Sequence, residues 1–313
     1  MPALTRILLL TAALLLHPAA YAAEQCTGAQ NIAVFSDARG QEVDLRLPDS
    51  ASPTKRVPLV IGLHPSGGNG GSFDRDTGLG SAAQARGFAV MFPNGGIRRP
   101  GGGAQHFWNI PGVPLVDGTD VPSGTRDDVQ YLADLIDYVV KNNCVDKHRI
   151  YVTGFSGGAR MTSMVGCRLA DRIAGVAPVA GLRFGRAAEP DFNEPDATDC
   201  RPSAPISVLA IHGTDDSTNP FPGGAGVRWG YSVNRAIERW ASLDECRAKP
   251  DVQAVSAHVS RTRYGRCNAR REVALYKIDA PANQGGGHVW PGGSGVAAEI
   301  DATKLVLDFF ATH

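Results

Sequence analysis

Short apolar runs alternate along this chain with longer stretches in which apolar residues recur at helical spacing. Val57 to Leu63 is the first such run, rich in branched residues and ending at His64-Pro65. Phe88 to Phe92, Arg149 to Thr153, Ile173 to Val179, Ile206 to Ile211 and Val273 to Ile278 follow it. Apolar runs of this kind, bounded by Gly, Pro or polar residues, predict strands buried on both faces. Between them, Val129, Leu132, Leu135, Ile136, Val139 and Val140 recur at the spacing of one helical face. Asp127 and Asp128 fall in the first turn of that helix, where they complement its dipole. Ser81 to Arg86, Arg160 to Ala170, Val233 to Ala241 and Ala298 to Phe310 are further predicted helices. Gly67, Gly68, Gly70 and Gly71 predict a flexible loop, and Pro93 to Gly124 a long one rich in Gly and Pro. A loop of that length inside a folded domain usually carries function. Buried strands alternating with helices predict an α/β domain, its sheet mainly parallel and covered on both faces.

Composition changes this picture in two places. Residues 1–22 read as a secretory signal peptide rather than as part of the fold. Arg6 supplies the positive segment, Ile7 to Leu16 the apolar one, and Ala20-Tyr21-Ala22 a cleavage site. The apolar run is shorter than the roughly 20 residues of a membrane span, so no membrane insertion is expected after cleavage. Residues 23–313 are left for one catalytic domain, secreted to the periplasm or outside the cell. Its six cysteines fit export. The expected pairs are Cys246–Cys267, which flank one excursion, then Cys167–Cys200, and Cys26–Cys144 by exclusion. No pair has zinc-site spacing, so no metal is expected. The 31 basic and 31 acidic residues balance without a basic stripe, which argues against a nucleic-acid partner.

The chemistry concentrates in four short segments. Gly154-Phe155-Ser156-Gly157-Gly158 matches G-x-S-x-G between a predicted strand and helix, the context in which the serine hydroxyl stands exposed on a strained turn. The N–H of Gly157 then faces a developing oxyanion. A nucleophilic serine needs a base and an orienting acid, in the chain order Ser, acid, His. His212-Gly213-Thr214-Asp215-Asp216 follows a buried strand and offers two acids that spacing does not separate. His288 follows Gly285-Gly286-Gly287, read as a mobile loop over the sheet edge. The second oxyanion donor belongs to the loop after the Val57 strand. Pro65 has no N–H, which leaves the backbone of Ser66. No nucleotide-binding glycine motif occurs, and no cofactor is implied.

These motifs in this order, with Trp108-Asn109, Asp127-Asp128-Val129 and Gly287-His288-Val289-Trp290-Pro291-Gly292, resemble the secreted α/β-hydrolase esterases related to poly(3-hydroxybutyrate) depolymerases and feruloyl esterases. The resemblance implies an α/β-hydrolase fold and a catalytic triad of Ser156, Asp216 and His288. It places the acid at the end of H-G-T-x-D and the base in G-H-x-W-P. Two positions depart from the family pattern: Pro65 stands where the oxyanion loop usually has Gly, and Gly157 where relatives often carry Asn or Ala. The expected activity is serine carboxylic-ester hydrolysis through an acyl-enzyme, on a hydroxyalkanoate, hydroxycinnamoyl or acetyl ester. Trp108, Trp229, Tyr231 and Trp290 are expected to shape the substrate pocket. The rival readings are a non-catalytic binding protein on the same scaffold and a serine acyltransferase or peptidase.

Overall fold

Each predicted strand is present in the computed structural model, which describes residues 31–36, 42–99, 103–115, 117–224, 226, 228–293, 295 and 298–313. The expected signal peptide and Cys26 lie outside the described residues. In chain order the strands are β1 (Asn31–Ser36), β2 (Glu42–Arg46), β3 (Val57–Leu63), β4 (Ala89–Met91), β5 (Ile97–Arg98), β6 (His106–Phe107), β7 (Val145–Phe155), β8 (Gly175–Val179), β9 (Ser207–Gly213), β10 (Asp251–Ala254), β11 (Val259–Tyr264) and β12 (Val273–Ile278). Ten of them form one sheet in the order β1-β2-β4-β3-β7-β8-β9-β12-β11-β10. From β4 through β12 the neighbours run parallel. β1 and β2 at one edge, and β10 and β11 at the other, pair antiparallel. Only the parallel centre is legible in the apolar runs, because β10 is exposed along its whole length.

The helices are α1 (Gly70–Thr77), α2 (Leu79–Ala85), α3 (Asp128–Asn142), α4 (Gly157–Arg168), α5 (Val233–Leu243) and α6 (Ala302–Thr312). Alternate strand residues feed the two sides of the sheet. Leu59 and Ile61 of β3 join Val208 of β9 in one core with Leu132 and Ile136 of α3, Met161 of α4 and Trp240 of α5. Val60 and Leu209 point the other way, into a core with Phe73 of α1, Leu79 of α2 and Phe310 of α6. This is an α/β-hydrolase fold in one domain.

The segment read as a flexible glycine loop is half helix. Asn69 caps α1, its side chain accepting from the Ser72 N–H at 2.9 Å. A side chain at Gly70 would bring its Cβ to 2.0 Å from the Phe92 carbonyl oxygen, so glycine there admits close approach rather than motion. Asp127 is the cap of α3 and accepts from Val129 and Gln130 N–H groups, a contact worth about 1 kcal/mol.

Disulfides join Cys167 to Cys200 and Cys246 to Cys267. Cys144 is also disulfide-bonded. Beside the Cys246–Cys267 bridge, Asp244 closes α5 and is fully buried. One carboxylate oxygen accepts from the Ile206 N–H at 3.2 Å, and the other has no partner. Burial pushes this carboxyl up to about 7, against the weaker pull of the Ile206 N–H and Arg271. The folded chain thus keeps a proton that the unfolded chain releases near pH 4. Asp244 therefore costs stability progressively as pH rises from about 4 to about 7. Asp244→Asn removes that titration while keeping an acceptor for Ile206. In urea unfolding, its stability relative to the native chain is expected to improve by on the order of 2 kcal/mol between pH 4 and pH 8. A difference that does not change with pH would count against this account.

Candidate active site

The carboxyl ends of β3, β7, β9 and β12 carry the four chemical segments to one edge of the sheet, where ligands bind in open α/β folds. β7 passes directly into α4, and Ser156 sits at the join with φ 56° and ψ −115°. A non-glycine residue in that region carries strain of order 1–3 kcal/mol. The neighbours hold it there. The Ser156 N–H donates to the Val179 carbonyl at 3.1 Å, and the Ser156 carbonyl accepts from the Arg160 N–H at 3.0 Å. The flanking glycines are fixed by β3: a Cβ on Gly158 would lie 2.0 Å from the Leu63 carbonyl oxygen, and one on Gly154 would lie 2.8 Å from it. The two glycines thus let the elbow press against β3.

Three side chains meet at this edge. His288 Nε2 lies 2.8 Å from Ser156 Oγ, and His288 Nδ1 lies 2.8 Å from Asp216 Oδ2. The Asp216 carboxylate is fully buried, whereas the His288 ring keeps 19% of its surface exposed. Asp215, the competing acid, instead accepts from the Ala282 N–H at 2.8 Å and does not reach the imidazole. Asp216 Oδ1 accepts from the Thr218 and Asn219 N–H groups at 2.9 and 2.8 Å. Burial alone would raise this carboxyl, but the hydrogen bonds from His212, His288 and the Asn219 N–H outweigh it and hold the group well below the usual carboxylate range.

His212 was not singled out by sequence reasoning, though it stands in the H-G-T-x-D segment four residues before Asp216. Its Nε2 lies 2.9 Å from the Asn219 carbonyl and 3.3 Å from Asp216 Oδ2. A carbonyl only accepts, so Nε2 carries the proton and faces the carboxylate as well. The segment bearing His288 is not the mobile loop expected from its glycines. Gly285, Gly286 and Gly287 are buried. A Cβ on Gly286 would meet the Ala280 carbonyl oxygen at 1.6 Å, and the Gly286 carbonyl accepts from the Asp215 N–H at 2.8 Å. The glycines clamp the His288 segment to the end of β9. Phe155 supports the imidazole from the other side, ring centroids 4.9 Å apart.

Ser66 and Gly157 are neighbours in space: a Cβ on Gly157 would lie 3.1 Å from the Ser66 nitrogen and 2.2 Å from Ser66 Oγ. A Cβ there would require the Ser66 hydroxyl to turn away, so glycine at 157 matches the Ser66 side chain as it stands. The Gly157 N–H opens α4 and has no acceptor within the helix. The loop around Ser66 is held by residues from the 93–124 segment. The Gly67 N–H donates to the His106 carbonyl at 2.8 Å, and the His106 N–H to the Gly68 carbonyl at 2.9 Å. His64 is fully buried, with Nδ1–H donating to the Pro65 carbonyl and Nε2 accepting from the Gly95 N–H at 3.0 Å. Burial drives the His64 imidazole down to about 4, so the ring stays neutral and keeps both bonds at neutral pH. Asp128, fully buried at the start of α3, accepts from the Gly96 and Asn109 N–H groups and from Arg126, tying the same segment down.

The four aromatic residues expected at the substrate pocket are all buried, each with its polar tip bonded inside the protein. Trp108 stacks on His64 at 4.9 Å and donates its indole N–H to the His64 carbonyl. Trp229 donates to the Pro220 carbonyl and lies under the Arg183 guanidinium. Tyr231 is 1% exposed, its hydroxyl bonded to Gly185 and Phe184 backbone. Trp290 sits edge-on to Phe73 and donates to Thr303. These bonds fix the rings in place, and Trp108 also lines the narrow cleft that contains Ser66. Among the described residues, no group of three His, Cys, Asp or Glu side chains is placed to hold a metal ion.

The chain matches the family model for esterase PHB depolymerases over residues 41–193. It is 30% identical to feruloyl esterase B of Piromyces equi over 254 residues, covering 79% of this chain. The chain spans 42% of the length of that relative. It is 26% identical over 294 residues to the putative esterase NocK of Nocardia uniformis subsp. tsuyamanensis, covering 87% of this chain and 76% of that protein. Among solved structures, the acetyl xylan esterase from Aspergillus awamori shares the fold with a TM-score of 0.57 at 12% identity, over 91% of this chain and 99% of the other. The elbow, the family match and the shared fold converge: this chain belongs to the α/β-hydrolase esterase family related to PHB depolymerases and feruloyl esterases.

Proposed function

We propose that the protein is a secreted serine esterase that cleaves carboxylic esters through an acyl-enzyme. The observation that carries this reading is the unbroken series of hydrogen bonds from Ser156 through His288 to Asp216. Asp216 accepts from Nδ1–H of His288, so Nε2 is the bare nitrogen and takes the Ser156 proton as Oγ attacks the ester carbonyl. The buried carboxylate then stabilises the imidazolium. The N–H groups of Gly157 and Ser66 receive the oxyanion, each worth about 3 kcal/mol in comparable sites. His288 returns its proton to the leaving alcohol, and water activated by the same imidazole releases the acid.

The substrate is a hydroxycinnamoyl, acetyl or hydroxyalkanoate ester, a range supported by the names of the feruloyl and acetylxylan esterase relatives and of the matched family. Export is supported by the N-terminal pattern and by the disulfides, which persist in oxidising compartments. The test is a fluorophosphonate probe on the purified protein, followed by peptide mapping. The expected result is a single label on the peptide containing Ser156, formed more slowly while excess methyl ferulate, acetylated xylan or hydroxybutyrate oligomer is present. An unlabelled, folded protein would leave the non-catalytic binding protein as the better reading.

A further inference from the structure

One turn beyond the nucleophile, α4 places Arg160, a side chain the mechanism does not use. It is 6% exposed. Among the described residues, its one hydrogen bond beyond its own helix is long, 3.4 Å from Nη1 to the Arg228 carbonyl, and its Nε has no partner. A guanidinium offers five N–H donors and does not lose its proton in proteins, so burying one with a single weak acceptor is costly. Arg160, Arg183 and Arg228 form no ion pair with any described acid, and burial together with Arg228 and Arg183 drives the Arg160 guanidinium down to about 9.

Arg160 also stands where two narrow clefts meet. One is lined by Ser66, Phe107 and Trp108, and so opens beside the proposed oxyanion donor. The other is lined by Arg160, Arg183, Arg186 and Arg228, with no acidic residue in its wall. Ile110 and Val113 run along both. Arg186 is already paired with Asp196, and Arg183 is spread over the faces of Trp229 and Tyr231. Arg160 and the half-buried Arg228 are left with donors to spare, and the Arg228 Nε is also unpartnered. A planar guanidinium fork in a cleft with no acid in its wall fits a carboxylate better than a hydroxyl or a sugar ring.

We propose that Arg160 and Arg228 form a carboxylate subsite, so that the preferred substrates are esters that carry a free carboxylate elsewhere in the molecule. The proposal rests on Ser156 as the nucleophile, and it narrows the ester class rather than changing the reaction. The substrate anion supplies an acceptor for Arg160, which lines the same narrow cleft as Ser66. A charge-assisted pair of this kind contributes a 10- to 100-fold preference over a neutral isostere.

Two matched pairs of substrates test it. The linear dimer of 3-hydroxybutyrate, with its free terminal carboxylate, is compared with the same dimer ending in a primary amide. Mono-p-nitrophenyl adipate is compared with p-nitrophenyl hexanoate, which moves the carboxylate to the acyl side. In at least one pair kcat/KM is expected to favour the acid 10-fold or more, and that ratio is expected to collapse toward one in Arg160→Met and in Arg228→Gln. The second variant changes a half-buried side chain and keeps the test open if Arg160→Met does not fold. Calorimetry with glutarate on Ser156→Ala protein reads the subsite without catalysis, and binding is expected to vanish in the Arg160→Met, Ser156→Ala double variant. If esters are hydrolysed in a Ser156-dependent way but neither acid is favoured and glutarate does not bind, the subsite is refuted and the esterase reading stands. A preference that survives both arginine substitutions also refutes it. If hydrolysis persists in Ser156→Ala, the esterase mechanism fails, and glutarate binding still decides the subsite.

Discussion

Ser156→Ala is expected to lower kcat on p-nitrophenyl acetate by about 10⁵-fold while leaving the fold and KM nearly unchanged. The size follows from what remains. The variant keeps the N–H groups of Gly157 and Ser66, so it still polarises a bound ester and retains a residual advantage over water. What it loses is the Oγ placed 2.8 Å from His288 Nε2. Alanine at this position also lacks the reason to tolerate φ 56°, yet the glycines pressed against Leu63 and the bond from Ser156 N–H to Val179 hold the backbone irrespective of the side chain. Unchanged turnover in Ser156→Ala would remove the serine mechanism altogether.

Asp216→Asn is expected to cost about 10⁴-fold in kcat, nearly as much, though no atom of Asp216 touches the reacting ester. The amide is almost the shape of the carboxylate, so the acceptor for the Thr218 and Asn219 N–H groups survives. The charge does not. An amide nitrogen turned toward His288 donates to Nδ1 and forces the proton onto Nε2, where it blocks removal of the serine proton. His212 adds to the penalty, since its Nε2–H then faces a neutral group. In the native protein the hydrogen bonds to Asp216 keep it ionised well below the usual carboxylate range, so loss of activity on going from pH 7 to pH 5 is not expected to reflect its protonation. A matching 10⁴-fold loss in Asp215→Asn, or only a few-fold loss in Asp216→Asn, would reverse the assignment between the two acids.

What the sequence conveyed and what it withheld differ in physical kind. The central strands were legible because a strand buried on both faces must be apolar throughout, and β3, β9 and β12 show this within a residue or two of their observed ends. The edge strands β10 and β11 were not, because an exposed antiparallel edge carries no such demand. That Ser156, Asp216 and His288 would meet was readable because strand order and chain order together restrict which loops share an edge. Glycine was misread twice. At Gly70 and at Gly285 to Gly287 its absence of a side chain serves contact between backbones, and sequence does not distinguish that from freedom to move. The packing of the tryptophans was not legible for a related reason. An indole in a loop is equally suited to ligand and to core, and its partner, a carbonyl such as that of His64 or Pro220, is chosen by tertiary structure. Arg160 was passed over because a charge inside a helix looks like a solvated face until its burial is known.

The anchoring of the Ser66 loop bears on how this chemistry can be moved between proteins. Its position depends on His64 reaching Gly95, on His106 bridging Gly67 and Gly68, and on Asp128 gripping Gly96 and Asn109. The smallest transplantable unit is therefore not the five-residue elbow but the whole stretch from Leu63 to Asp128 together with it. Grafting the elbow alone onto another parallel sheet would carry over Ser156 and Gly157 and leave behind the Ser66 N–H, the other oxyanion donor of the proposed mechanism.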